Sequence, residues 1–371
     1  MASRAVQWVE IDGRQHHLVA GQLSHAVKNP TFDPISKPGA LHDYVRGKND
    51  LDVGELMAKL RDHEPSPAYY REPEARLAIM DDQGLEWAWL FPTLGVLYEE
   101  LLKDDVEAVT ATFQAFNRWL LEDWGFAYKE RIFAAPYLSL ANVDWAVKEL
   151  EWALDQGARV VCMRPSAVHT AHGLLSPGDP HFDPFWARVN EAGIAVAIHA
   201  GDSGYTTHGY VRDGFSAAFG AGSTGAEYRP SIKMWNLERA ALDFLATLIF
   251  DRVFERFPRL RVASIENGSE FLPDLFHKLG SMRRKAPGYF EHEPSETFRN
   301  HVWINPFWED DVAEVTRYMG SDHVIFGSDW PHVEGLPTPL DYVSDLVDFS
   351  DDDRRKILRD NALALTGLVL A

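Results

Sequence analysis

The sequence has little cysteine, little positive charge and no long apolar run. Cys162 is the single cysteine in 371 residues, which excludes an internal disulfide and a cysteine-cluster metal site. Lys and Arg number 36 against 56 Asp and Glu, and the formal charge of −20 argues against nucleic acid as a partner. Because the sequence shows neither a run of membrane-spanning length nor a signal-peptide pattern, we expect no membrane partner and a reducing, cytoplasmic location.

The composition is that of an ordinary globular protein, with 46% hydrophobic and 25% charged residues. From Leu85 onward, buried apolar runs of strand length alternate with helical stretches, which predicts parallel strands joined by right-handed crossovers. A closed barrel of this kind needs eight strands. The runs that we predict as strands number seven: 85–91, 131–136, 158–163, 194–198, 260–265, 302–304 and 324–326.

The first part of the chain does not follow this alternation. Apolar and polar residues alternate around Asp12 and Gly13, which predicts a polar β-hairpin followed by irregular chain, together residues 1–75. A second exception is the stretch 202–235, rich in Gly, Ser, Tyr and Thr, which is too long for a plain connection. We expect it to cover the barrel mouth or to contact another subunit, within a single domain.

Polar or turn-forming residues stand where the predicted strands end. In a barrel these ends surround one mouth, although they are far apart in the sequence. An imidazole and two carboxylates that converge there would suit zinc, manganese or iron, and such a metal would polarise a carbonyl or generate hydroxide. The residues at these ends are Pro92, Thr93, Tyr137, Arg164, His199, Glu266, Asn305 and Asp329.

Each candidate also has a structural interpretation. Asp329 could cap the turn that it begins, and His199 could be a hydrogen-bonded core histidine. Arg164 is placed to bind a substrate carboxylate with both arms of its guanidinium, but an ion pair with a neighbouring loop acid explains it equally well. The long loop adds three polar residues that ordinary loop polarity also explains: Asp202, Tyr205 and His208.

Three motifs resemble the amidohydrolase-related proteins, the branch of the amidohydrolase superfamily that includes aminocarboxymuconate-semialdehyde decarboxylase. They are Ile-His-Ala-Gly at 198–201, Ile-Glu-Asn-Gly at 265–268 and Phe-Gly-Ser-Asp-Trp-Pro-His at 326–332. The resemblance runs from about residue 29 to the C-terminus. It implies a distorted (β/α)8 barrel of the TIM type with a metal at its mouth, and hydrolysis or decarboxylation of small carboxylates or amides.

By position, His199 and Asp329 match metal ligands of this family, and the family's aspartate also handles protons. Glu266 stands where many members have a histidine, and its carboxylate could bind the metal or move a proton. The family's first strand carries a His-x-His motif that supplies two more ligands, and this chain lacks it. His16 and His17 are adjacent and point to opposite faces of the hairpin, so they cannot replace that pair, although one of them could still reach the site; the same holds for His25.

We therefore predict a metal-dependent hydrolase or carboxy-lyase with an altered metal site and an atypical or missing first βα unit. His199, Glu266 and Asp329 would bind the divalent metal, with zinc expected and manganese or iron as alternatives. Asp329, Glu266 and Arg164 would act on a small carboxylate or amide.

Two other interpretations stay open. The chain could be the supporting subunit of a hetero-oligomeric metalloenzyme, paired with a related amidohydrolase-fold chain and resembling the α-aminoisobutyrate hydroxylase. It could also be a binding or scaffold protein with a vestigial pocket. The 12 tryptophans favour an interface in a homo- or hetero-oligomer, because aromatic residues are enriched at interfaces.

Overall fold

The structure, a computed structural model, describes residues 4–24, 33–45, 53–92, 95–205, 235–307 and 309–367. Its strands are β1 Val6–Ile11, β2 Arg14–Val19, β3 Gln22–Leu23, β4 Ile35–Ser36, β5 His63–Glu64, β6 Ala88–Leu90, β7 Ile132–Ala134, β8 Val160–Met163, β9 Val168–Thr170, β10 Gly173–Leu175, β11 Ala195–His199, β12 Arg261–Ile265 and β13 Val302–Ile304.

The α-helices within these residues are α1 His42–Val45, α2 Val53–Arg61, α3 Pro73–Asp82, α4 Gly95–Leu102, α5 Val106–Asp123, α6 Val143–Asp155, α7 Asp183–Ala192, α8 Asn236–Phe250, α9 Val253–Arg256, α10 Leu272–Lys285, α11 Pro294–His301, α12 Val312–Met319, α13 Asp351–Arg355 and α14 Asn361–Thr366. Tighter turns of 3₁₀ helix span Ala68–Tyr70, Pro180–Phe182, Ser321–His323 and Pro339–Leu346, and a π-helical turn spans Lys356–Asp360. In the described part of the chain, no helix combines the length and the apolar character that a membrane crossing requires.

Parallel pairing joins the central strands in the order of the chain. β6 pairs with β7, and β8, β11, β12 and β13 form one sheet in that sequence. Parallel bridges from Tyr137 to Cys162 and from Ile304 to Val324 extend the series at both ends of that sheet. The seven predicted strand positions therefore lie side by side, although the last is reduced to one bridge. This succession is that of a TIM-barrel-like α/β fold.

Both faces of these strands are buried, and alternate side chains enter two different cores. Ala195 and Ala197 pack in a core with Tyr98 and other residues of α4, whereas Val196 and Ile198 pack against the outer helices. Burial on both faces explains why the strands are continuous apolar runs. The same alternation turns His199, the next residue in the series, toward the inner side.

The N-terminal part is built differently. The predicted hairpin is confirmed: β1 and β2 are antiparallel, and Asp12 and Gly13 at the turn have φ angles of 51° and 73°. Among the described residues before β6, all strand pairing is antiparallel. That the barrel is distorted and its first βα unit atypical or missing stays a prediction.

Helix α4 was not expected from the sequence. Seven of its eight residues are buried, including Glu99 and Glu100. It lies against the ends of the central strands. The amide of Asp202, just beyond β11, donates to the carbonyl of Val96 in this helix at 3.3 Å. A helix in this position brings two carboxylates into the protein interior, where they need partners.

Candidate active site

The last predicted strand leads into a closed loop, residues 328–336, which we call the Asp329 loop. The amide of Leu336 donates to the carbonyl of Ser328 at 2.8 Å and joins the two ends. Asp329 itself adopts a left-handed φ of 53°. A Cβ at Gly335 would lie 2.6 Å from the carbonyl oxygen of Asp329, so the close return of the chain requires glycine there.

Four side chains meet at this loop. Potential ligand atoms of Glu266, Asp329, His332 and Glu334 all lie within 4.8 Å of one another, and we call these residues the four-residue group. Glu266 follows β12, and its φ of 55° turns the chain out of the strand. Two ligands on opposite sides of one small divalent ion are roughly 4 Å apart, so the group is close to the size of a metal site.

His332 provides a second reason to expect a cation. Its Nδ1 atom is shielded from solvent and forms an ion pair with Oδ1 of Asp329 at 2.7 Å, but the angles of this contact are poor for a hydrogen bond. Buried polar atoms of native proteins are normally hydrogen-bonded. The carboxylate and imidazole donors around this atom are of the kind that binds zinc, manganese or iron, so the residues present fit a divalent metal.

His199 lies beside the four-residue group. Its Nδ1 atom is 2.8 Å from the carbonyl oxygen of Ala200, so this nitrogen carries the proton in the tautomer that donates there. The other nitrogen, Nε2, lies 3.1 Å from Oε2 of Glu266, and the ring packs 5.0 Å from that of Phe91. An imidazole held by a backbone carbonyl with its second nitrogen facing a ligand cluster is the usual arrangement of a metal-binding histidine.

Arg164 makes the ion pairs that the alternative interpretation anticipated. Its guanidinium lies 2.7 Å from a carboxylate oxygen of Glu100 and 3.4 Å from one of Glu99, and it also donates to the carbonyl of Asp202 at 2.5 Å. The side chain is only 3% exposed. With these contacts, Arg164 links α4 to the ends of β8 and β11 and has little surface to offer a substrate.

The electrostatic balance of the four-residue group is negative. Burial raises the pKa of Asp329, and the nearby carboxylate of Glu266 adds to the effect, giving a value of about 6. Burial would lower the pKa of His332, but Asp329, Glu266 and Glu334 outweigh it and raise this pKa to about 10. Such shifts mean that the carboxylates strongly favour a cation between them, whether a proton on an imidazole or a metal ion.

His199 and Glu266 each stabilise the charged form of the other. Burial opposes the charged imidazole, but Glu266 raises the pKa of His199 above its ordinary value. Burial likewise opposes the carboxylate, but His199 and then His332 lower the pKa of Glu266. Perturbed titration together with the convergence of ligand atoms at the ends of barrel strands makes this region the candidate active site.

Other residues singled out in the sequence lie apart from the group. His17 is hydrogen-bonded through Nδ1 to the hydroxyl of Tyr98. Asp202 accepts a hydrogen bond from the backbone amide two residues further on, at 3.0 Å. The hydroxyl of Tyr205 donates to Asp243 at 2.5 Å. Three of the residues named above lie outside the described residues: His25, Thr93 and His208.

Sequence reasoning assigned no role to two members of the group, His332 and Glu334. His332 is part of the motif at 326–332, but the resemblance assigned a ligand role only to Asp329 of that motif. Glu334 belongs to no motif. Only the closed conformation of the Asp329 loop brings both side chains to the carboxylate of Asp329, and that closure depends on residues outside the motif, such as Gly335.

Comparisons with known proteins identify the family to which the chain belongs. A family model described as Amidohydrolase matches residues 15–368. Among curated proteins, the 2-amino-3-carboxymuconate-6-semialdehyde decarboxylase of Dictyostelium discoideum is 23% identical over 198 residues, which are 51% of this chain and 49% of that protein. The chain thus spans about half the length of this curated relative.

Solved structures extend the similarity. An amidohydrolase from Mycobacterium avium subsp. paratuberculosis K-10 is 41% identical, with a TM-score of 0.89 over 99% of this chain and 92% of that one. A dihydroxybenzoic acid decarboxylase from Polaromonas sp. JS666, solved with bound manganese and the inhibitor 2-nitroresorcinol, is 19% identical, with a TM-score of 0.61 over 90% and 94% of the two chains. The second likeness concerns the fold alone. As the motifs predicted, the chain belongs to the amidohydrolase family, in the branch that includes aminocarboxymuconate-semialdehyde decarboxylase.

Proposed function

We propose that this chain is a metal-dependent carboxy-lyase that removes CO₂ from a small carboxylate without oxidation, with hydrolysis of a small carboxylate or amide as the alternative. The observation that carries the proposal is that ligand atoms of Glu266 and Asp329 lie within 4.8 Å of each other near the ends of parallel strands, with Nε2 of His199 3.1 Å from Glu266. Decarboxylation comes first because the relatives from Dictyostelium and Polaromonas are named decarboxylases. The supporting-subunit and scaffold interpretations gain no support from these relatives.

The metal would be held by His199 through Nε2 and by the carboxylates of Glu266 and Asp329. Nitrogen and oxygen donors of this kind suit zinc, the metal that we expected from the sequence, and also manganese, which the Polaromonas decarboxylase contains. When bound, a divalent metal supplies charge that polarises a carboxylate or carbonyl oxygen of the substrate. The buried, reduced state of Cys162 fits a cytoplasmic enzyme.

We assign the proton transfer to Asp329, because in the metal-free chain its pKa of about 6 lies near neutrality and the carboxyl can hold or release a proton. In decarboxylation, the bond between carbon and the carboxylate breaks, CO₂ leaves and the electron pair stays on the carbon. The protonated Asp329 carboxyl then delivers its proton to that carbon. In the hydrolytic alternative, ionised Asp329 would take a proton from the attacking water.

Arg164 would serve as a positioning residue. Its ion pairs with Glu99 and Glu100 fix α4, and its hydrogen bond to the carbonyl of Asp202 fixes the chain that leaves β11 after His199. The direct contact with a substrate carboxylate that the sequence suggested is the less favoured role, since the guanidinium is already engaged by two carboxylates.

Metal content tests the proposal most directly. We expect about one divalent metal per purified chain, measured by elemental mass spectrometry, and a loss of most of it in His199→Ala and in Asp329→Asn. His277→Ala, which changes an exposed histidine on α10, is the matched control and should keep the metal. Equal metal content in the wild type and both site variants would overturn the proposal.

A further inference from the structure

We infer that His332 and Glu334 are also metal ligands, so that the Asp329 loop supplies the donors that the missing His-x-His motif would have given. The inference rests on the proposed function, since it concerns the same metal. The inference goes beyond the proposed function by naming two further ligands, because the motifs of the family assign no ligand role to these two positions. Asp329, His332 and Glu334 would then bind one ion from a single loop.

The position of the two side chains is the first support. Both offer a ligand atom within 4.8 Å of those of Glu266 and Asp329. Nδ1 of His332 approaches Oδ1 of Asp329 to 2.7 Å without the geometry of a hydrogen bond. Two neighbouring ligands of one ion are also roughly 3 Å apart with their lone pairs pointing at the ion rather than at each other.

The charge of the group is the second support. Glu266, Asp329 and Glu334 place three carboxylates around one small space, and among the described residues no Lys or Arg is ion-paired with any of them. Partly buried carboxylates in close contact repel one another unless a cation lies between them. By contrast, the buried carboxylates of Glu99 and Glu100 have Arg164 as a partner. A divalent ion would supply a permanent positive charge in place of the titratable protons on His199 and His332, which pair with Glu266 and Asp329.

The loop is also held in this conformation from outside. The amide of Gly39 donates to the carbonyl of His332 at 2.9 Å, and the amide of Leu41 donates to that of Val333 at 2.7 Å. The hydroxyl of Tyr70 donates to the carbonyl of Pro331 at 3.2 Å. The N-terminal part of the chain thus supports the loop that carries the donors. Ligands fixed in this way lose little conformational freedom when the metal binds.

The side chain of Trp330 adds to this support. Its ring lies 5.2 Å from that of Tyr69 and 4.8 Å from the guanidinium of Arg76. With His199, the complete set would contain five protein donors, of which three are carboxylates. This number exceeds the four of a tetrahedral zinc site, and carboxylate-rich sets suit manganese. The inference therefore favours manganese over zinc.

Titration of the metal-free full chain with Mn²⁺, followed by the electron paramagnetic resonance signal of the free ion, tests this inference. We expect His332→Gln and Glu334→Gln each to weaken Mn²⁺ binding at least tenfold, with His277→Gln unchanged. Glu334→Gln keeps the size of the side chain. Its Mn²⁺ affinity therefore tests the inference even if circular dichroism shows that His332→Gln folds poorly. In the Co²⁺-loaded protein, His332→Gln should also change the visible absorption, because a nitrogen ligand is lost.

The outcomes distinguish the ligand role of His332 and Glu334 from the proposed function. If His332→Gln and Glu334→Gln bind Mn²⁺ like the wild type while His199→Ala and Asp329→Asn do not, the inference is overturned and the proposed function stands. If all four variants bind like the wild type, both are overturned. Weakened binding in all four supports both.

Discussion

Two groups of charged side chains lie at the ends of the parallel strands, and they differ in how their charges are balanced. Around Arg164, the carboxylates of Glu99 and Glu100 face a buried guanidinium. The hydroxyls of Tyr137 and Ser139 donate to Glu99 at 2.5 and 2.6 Å and complete its hydrogen bonds. This group is satisfied within the protein.

The group around Asp329 is not satisfied in the same way. Three carboxylates face the imidazoles of His199 and His332, which carry positive charge only when protonated. Nδ1 of His332 lacks a proper hydrogen bond. The difference teaches that burial of charge does not by itself identify an active site. A group with a permanent guanidinium stabilises the fold, whereas a group whose cations are titratable imidazoles can exchange their protons for an external cation.

The largest expected effect comes from breaking the satisfied group. Arg164→Met would leave Glu99 and Glu100 buried without their cation, and removing one partner of a buried ion pair costs about 3–5 kcal/mol. We expect the free energy of unfolding of the metal-free protein, measured with urea, to fall by that amount. Arg164→Lys should recover part of the loss.

The control for this variant is an exposed ion pair. Arg283 pairs with Glu293 at 2.8 Å, with side chains 42% and 36% exposed, and Arg283→Met should cost less than about 1 kcal/mol. If Arg164→Met were as harmless as Arg283→Met, the Arg164 group would not be structural. A contact of Arg164 with a substrate carboxylate, as the sequence suggested, would then become the favoured role of this residue.

The fold could be predicted further than the site because each barrel strand is recognisable from its own residues. Apolar runs buried on both faces, such as the one containing β11, need no knowledge of distant residues. Helix α4 was missed for the opposite reason. Its Glu99 and Glu100 indicate a solvent-exposed stretch, and they are buried only because Arg164, 64 residues beyond Glu100, pairs with them.

The same limit applies to the site. His199 and Glu266 could be proposed because each directly follows a predicted strand, and Asp329 because it stands three residues beyond one; strand ends converge in any barrel of this class. The contribution of His332 and Glu334 depends on the path of an irregular loop and on its contacts with residues 39–41. Loop closure of that kind arises from tertiary contacts, which a periodic pattern does not contain.

The second prediction concerns the group around Asp329, where removing a charge should raise the stability of the metal-free protein instead of lowering it. The pKa of Asp329 rises from 3.8 to about 6 on folding, so the unfolded chain releases this proton first and stability falls as pH rises from about 4 to 6. Above pH 6 the ionised carboxylate costs roughly 1–2 kcal/mol, after allowance for its 24% exposure. In the background of His332→Gln, which removes the ion pair between these two side chains, Asp329→Asn should stabilise the metal-free protein by that amount at pH 8 and leave it unchanged at pH 3.5.

When metal is bound, the carboxylate of Asp329 should stabilise the protein instead of destabilising it. Saturating Mn²⁺ should stabilise the wild type, by about 2.7 kcal/mol at 100 times its dissociation constant, and should leave Asp329→Asn nearly unaffected. Asp341→Asn, at an exposed position of the 3₁₀ helix that follows the Asp329 loop, is the control and should respond to metal like the wild type. Destabilisation of the metal-free His332→Gln protein by Asp329→Asn at pH 8 would show that the carboxylate of Asp329 is balanced without His332 and without a metal.

The smallest expected effect tests whether the N-terminal part supports the metal site through the Asp329 loop. Tyr70→Phe removes one hydrogen bond, to the carbonyl of Pro331, and should cost about 1 kcal/mol of stability. Tyr289→Phe removes a bond of the same kind, to the carbonyl of Phe250 at 2.8 Å and far from the site along the chain. Both variants should therefore lose similar stability, but only Tyr70→Phe should weaken Mn²⁺ binding, by about two- to threefold, because the loop that carries His332 becomes less well held. Equal Mn²⁺ affinities in the two variants would mean that the loop keeps its conformation without this contact, and that the donors of the unsatisfied group are positioned by the barrel alone.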